Sequence, residues 1–203
     1  MGYPVTIMKT KQWYHFLHQQ EYSKIVNGQE TPLPCKFELT NPGIEWSLVW
    51  TRLKIPAMHN DLHSFAWKLV HNLLPCGSLL NRRTGAQLES CRFSCPNNLT
   101  SDLHHCLFDC VLIEEVGSWV IKLVRSSDLS AEVSDILCLN FTGTESLIWV
   151  VVYALMYNWE RRSSGKHVRL NDFLSTLTSS LQTLSTAGHG TIAEEALLAI
   201  RSI

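Results

Sequence analysis

The sequence predicts an all-α fold, a helical domain carrying an inserted zinc-knuckle-like loop, and three observations predict it. Apolar residues return at helical spacing in most segments long enough to judge. Cap residues and Gly or Pro stops punctuate those segments where helices should begin and end. A dense array of cysteine and histidine interrupts the pattern between residues 91 and 110.

Taken in order, residues 9–22 read as a first helix, with Trp13, Phe16 and Leu17 on one stripe, broken by the Gly and Pro of residues 28–34. Residues 44–53 predict a short helix that sets Trp46 and Trp50 one turn apart and stops before Pro56. Asp61 is placed as the N-cap of the clearest amphipathic helix, whose inner face is Leu62, Phe65, Ala66, Leu69, Val70 and Leu73. A Pro75 and Gly77 stop leads to a short helix at residues 78–83, with Gly85 in the left-handed C-cap position. Past the cysteine array, residues 114–124 are helix-like, residues 126–134 polar, and residues 136–141 extended or irregular.

Thr142 and Glu145 form the pattern of a capping box ahead of an apolar helix at residues 147–159. Its uninterrupted apolar stretch ends at Tyr157, well short of the roughly 20 residues a bilayer span requires, so it is expected to be a buried core helix. An amphipathic helix at residues 170–184, a turn at Gly188, His189 and Gly190, and a last helix at residues 193–200 complete the chain. The expected organisation is an N-terminal helix and loop over 1–43, a helical zinc-binding domain over 44–125, and a C-terminal helical region over 126–203 packed on it.

The 203 residues carry a formal net charge of -1 and an apolar fraction of 45%, enough for a packed core and without a bulk electrostatic pull toward nucleic acid or anionic membrane. No membrane association is expected. The opening residues lack an apolar core of signal-peptide length, which predicts an intracellular, reducing setting for the seven cysteines and ranks metal above disulfides.

Four of the seven cysteines and two of the nine histidines lie within residues 91–110. Cys91 and Cys95 form one pair and His105 and Cys110 another, joined by a loop whose Pro96, Asn97 and Asn98 favour a turn, a layout by which short chains wrap a tetrahedral Zn2+. Thiolate and imidazole donors suit that ion, and four of them leave no open position for water or substrate, so the predicted zinc is structural. His104 and Cys106 stand as alternatives for the third ligand, since both lie beside His105. Cys35, Cys76 and Cys138 are isolated and read as small core residues. His63 and His71, about two helical turns apart, read as surface imidazoles. The chain has no nucleophile elbow and no phosphate-cradling Gly-rich loop, and no enzymatic reaction is expected of it.

The run SFAWKLVHNLLP at residues 64–75, LLNRR at residues 79–83, the Cys, Cys, His, Cys array and Trp119 together resemble the zinc-binding domain found C-terminal to the reverse transcriptase of non-LTR (LINE-type) retrotransposons. The resemblance covers about residues 44–120, and the apolar helix bearing Trp149 with the polar residues after it is similar to the tail of that group. It implies a zinc module that helps RNA or DNA engage the reverse transcriptase, without chemistry of its own. On that reading Arg82, Arg83 and Arg92 are candidate phosphate contacts, with Phe93 or Phe108 for base stacking. Asp102, Asp109, Glu114 and Glu115 nearby would oppose phosphate. The alternative is a zinc-stapled helical domain that binds protein and not nucleic acid.

Overall fold

A computed structural model of the chain describes residues 43–84 (backbone alone at 81–84), 90–93, 95 and 101–201. The expected helix at residues 9–22, Cys35, Gly85 and all but the last residue of the 1–43 region lie outside the described residues. Within residues 43–203, which form one compact unit, the elements are all helical: α1 (Trp46–Arg52), α2 (Asn60–Val70), α3 (Gly77–Thr84), a π-helical turn (His105–Asp109), α4 (Glu114–Ser127), α5 (Val133–Leu137), α6 (Glu145–Ser163), α7 (Leu170–Thr186) and α8 (Gly190–Arg201). The all-α class read from periodicity is the class observed.

Helix α6 is the axis of the unit. It buries residues on every side, among them Leu147, Ile148, Trp149, Val150, Val151, Val152, Ala154 and Leu155, as expected of a helix apolar all round. α2, α4, α8 and the π-helical turn pack against it. The indole N–H of Trp149 is satisfied by the Ala57 carbonyl at 3.1 Å, which ties the α1–α2 connection to the centre. Among the described residues no helix is long and apolar enough to cross a membrane. Around the other side of the core, Phe173 of α7 is fully buried, with Trp119 of α4 at 5.4 Å between ring centroids and Tyr157 of α6 at 5.2 Å. α7 and α8 pack on one another across the short turn in which Gly188 takes a φ of +95°, a conformation open to glycine at no steric cost.

Among the helix boundaries that differ from those the sequence predicts, three have a clear local reason. His59, not Asp61, is the N-cap of α2, its Nδ1 accepting from the Leu62 amide at 3.4 Å, which leaves Asp61 in the first turn where a carboxylate favours the helix dipole. The same helix stops at Val70 because Asn72 adopts a φ of +50° and the Leu73 amide bonds back to the Lys68 carbonyl at 2.8 Å. Thr144, not Thr142, caps α6, accepting from the Leu147 amide at 3.2 Å, while the Thr142 amide is held by the Asp128 carboxylate at 2.8 Å.

The segment expected to be extended or irregular at residues 136–141 begins instead inside α5, which is opened by the Asp135 carboxylate accepting from the Glu132 amide at 3.0 Å. Only the residues after it are irregular. There the buried guanidinium of Arg52 donates to the Leu139 and Phe141 carbonyls and lies 5.5 Å from the Phe141 ring centroid. A charge spent on backbone carbonyls ninety residues away leaves no trace in local sequence. Burial holds this guanidinium below its ordinary pKa, against the raising influence of Glu45.

Candidate metal centre

The π-helical turn is built by Asp102, whose carboxylate accepts from the His105 amide at 2.8 Å while its carbonyl accepts from the Cys106 amide at 3.0 Å. At its far end the Cys110 amide bonds to the His105 carbonyl at 3.0 Å, closing a turn one residue wider than an α-helical one. Widening brings His105 and Cys110 nearly above one another, whereas five residues along an α-helix would rotate them well apart. The turn packs into a gap on α4 left by Gly117, where an added Cβ would stand 2.4 Å from the Phe108 carbonyl oxygen. From the other side, the Asn158 side-chain amide of α6 donates to the Leu107 carbonyl at 2.9 Å.

Against this turn the chain brings two more cysteines, Cys91 and Cys95. One donor atom each from Cys91, Cys95, His105 and Cys110 lies within 4.8 Å of all the others. The sulfur separations are 3.5 Å for Cys91 to Cys95, 3.7 Å for Cys95 to Cys110 and 3.9 Å for Cys91 to Cys110. Disulfides are excluded at these distances, since an S–S bond is about 2.0 Å. Ligands at the usual zinc–sulfur distance of about 2.3 Å occupy tetrahedron corners roughly 3.8 Å apart, so the three edges are of the right size for one shared cation.

The imidazole makes the same point independently. His105 is 3% exposed, and neither of its ring nitrogens makes a hydrogen bond, although a buried polar atom without a partner costs about 1–3 kcal/mol. A cation bound between the sulfurs and the ring relieves that cost at one nitrogen. The residues present therefore fit a divalent metal with a preference for sulfur and imidazole.

The thiols differ in their electrostatics. Burial opposes ionisation of Cys91, but the Phe93 amide, His105, Cys95 and Arg162 around its sulfur outweigh it and draw the pKa down to about 6. Cys95 is pushed up to about 12 by burial and by the neighbouring Cys91 and Cys110 sulfurs, only partly offset by the Val111 amide. Cys106 is also pushed up, to about 11, chiefly by its burial.

Of the two alternatives open in the sequence, neither joins the group. His104 turns outward and pairs through Nδ1 with Asp109 at 2.7 Å, both side chains nearly half exposed. Cys106 is fully buried on another side of the turn, its sulfur 3.5 Å from the Ser101 hydroxyl. Of the isolated cysteines read as core residues, Cys76 is buried, whereas Cys138 is only half-buried. His63 is exposed, but His71 is half-buried, its ring 4.2 Å from Trp67 and 5.4 Å from Trp50 between centroids.

The expected nucleic-acid contacts are placed less uniformly. Arg82 and Arg83 lie in the last turn of α3, and their side chains are outside the described residues. Arg92 is exposed, donates to the Ser163 carbonyl at the end of α6 at 2.8 Å, and stacks over Phe93 at 4.7 Å. Phe93 is thereby engaged within the chain, and Phe108, 1% exposed, has no face free for a base. Two residues that sequence reading passed over complete the site. Asn158 and Arg162 sit four apart on α6 and both are buried; a lone Asn158 closing the apolar run was the signal available for the first, whereas Arg162, beside Glu160 and Arg161, carried none.

Fold and cluster together define an all-α protein with a Cys3His group able to hold a metal ion. In comparison with known proteins, the chain matches no family model, no curated protein and no solved structure.

Proposed function

We propose that the chain is a zinc-stapled helical accessory module, in which Zn2+ bound by Cys91, Cys95, His105 and Cys110 joins residues 90–95 to the π-helical turn and thereby to α4 and α6. The observation that carries this reading is the convergence of three sulfurs at tetrahedral-edge distances around a buried imidazole with no other partner. Bound there, the ion supplies cross-linking and not catalysis, because four protein donors fill its coordination sphere and three of the four residues are buried. The module works by presenting its helical surface to a protein. Engagement of Arg92, Phe93 and Phe108 within the fold favours protein binding over base reading.

Native mass spectrometry of the full chain is expected to find one zinc per molecule. Cys106→Ser is expected to keep it, since that sulfur faces Ser101 and not the cluster. Loss of the zinc from this variant would remove the proposed ligand set.

A second reading follows the resemblance to the retrotransposon domain, with assistance to RNA or DNA binding by a reverse transcriptase as the role. It is favoured by the placement of Arg82 and Arg83 together in the last turn of α3, close in sequence to the cluster. Titration of labelled single-stranded RNA at several salt concentrations separates the two. Affinity that falls steeply with salt, and falls further in Arg82→Ala/Arg83→Ala, supports the nucleic-acid role; no binding at low salt supports the protein-binding module.

A further inference from the structure

Arg162 is a buried cation without a carboxylate. Its side chain belongs to a residue 7% exposed, and among the described residues no carboxylate pairs with it. What Arg162 faces is sulfur and hydroxyl: Nη2 lies 3.5 Å from Cys91 Sγ and 3.1 Å from Ser101 Oγ, while Nε is buried with no hydrogen bond. The Phe93 ring closes over the guanidinium at 5.4 Å, and Arg92 stacks on the same ring, so water is kept from the charge. An unpaired buried charge costs several kcal/mol, which a fold tolerates only when an opposite charge is at hand.

The missing opposite charge follows from the donor set. Three thiolates and one neutral imidazole around a divalent ion sum to a net charge of -1, and one guanidinium against the Cys91 sulfur brings the whole to zero. We propose that Arg162 is the counter-ion of the metal centre, a positioning residue that neutralises the metal–thiolate group and holds Cys91 through its sulfur. This rests on the zinc reading above and adds to it a residue outside the coordination sphere. The placement is built into α6: Asn158 holds the π-helical turn by the Leu107 carbonyl, and one helical turn later Arg162 reaches the opposite lip of the cluster. A single rigid helix thus grips both halves of the site.

The test uses the full chain and its Arg162→Met, Arg162→Gln and Arg162→Lys variants, with zinc affinity read by competition against a chromophoric chelator. Arg162→Met is expected to bind zinc about 10- to 100-fold more weakly, the range typical for loss of a residue that supports metal ligands. Arg162→Lys, which keeps the charge but offers it from a point and not a fork, is expected to fall between wild type and Arg162→Met.

A second readout separates a counter-ion from an ordinary packing residue. With zinc bound, Arg162→Met melts below wild type; with zinc stripped by a chelator the difference narrows, because the metal–thiolate group that the guanidinium balances is then gone. A purely structural Arg162 would lower both melting temperatures alike, and that result overturns the proposal. Zinc in wild type with unchanged affinity in Arg162→Met overturns it also, while leaving the zinc site standing. Absence of zinc from wild type overturns both. Should Arg162→Met fail to fold, greater zinc affinity in Arg162→Lys than in Arg162→Gln supports the counter-ion, and equal affinity removes it.

Discussion

Cys110→Ser is expected to bind no zinc at neutral pH and to loosen the packing of residues 101–113, with the largest fall in stability of any substitution considered for the chain. Cys110 is fully buried, ends the π-helical turn, and stands within 3.9 Å of both other sulfurs of the group. A serine hydroxyl in its place does not ionise near neutral pH and offers the ion no anionic donor. Structural zinc in small finger domains contributes an apparent ~10–16 kcal/mol, and a lobe that draws even a fraction of this from the metal does not survive its loss intact. Native mass spectrometry and thermal unfolding, with and without a chelator, measure the two effects. Zinc retained at full stoichiometry in this variant would show that Cys110 is not a ligand.

Phe173→Ala acts on the other side of the core and is expected to cost about 3–5 kcal/mol in urea unfolding. The ring has no solvent exposure, and Trp119, Tyr153 and Tyr157 hold it from two different helices, with centroid distances of 5.4, 6.5 and 5.2 Å. Large aromatic neighbours cannot collapse into the space without leaving their rotamers, so the cavity persists and the upper part of the range applies. Zinc stoichiometry should be unchanged where the variant is folded, because the ring packs on Trp119, Tyr153 and Tyr157, none of them a donor residue. A cost below 1 kcal/mol would mean that the aromatic cluster repacks freely.

These two substitutions probe what different levels of the molecule supply. The Cys3His group was legible in the spacing of Cys91, Cys95, His105 and Cys110, because a cluster built from short loops is largely a local pattern. The choice of His105 over His104 and Cys106 was not, since three adjacent residues differ only in the direction the backbone gives them. A π-helical turn, an Asp102 carboxylate on the His105 amide and a glycine-sized gap at Gly117 made that choice. Helix capping was misread in the same way at Asp61 and Thr142, where a better-placed acceptor two residues away, His59 or Thr144, took the amide.

By itself the sequence determined the all-α class seen in the described residues, the burial of α6 as a core helix, and the gathering of four sulfur and imidazole donors in one short stretch. Periodicity and spacing carry that information because a helix face and a loop-built metal site each involve residues near one another in the chain. Tertiary structure alone decided that Arg52 serves the carbonyls of Leu139 and Phe141, and that Arg162 turns inward to the sulfurs and not outward to solvent. An arginine's local sequence is the same in either case. Its partner lies 71 residues away, and only the packing of α6 against the cluster brings the charge and the thiols together.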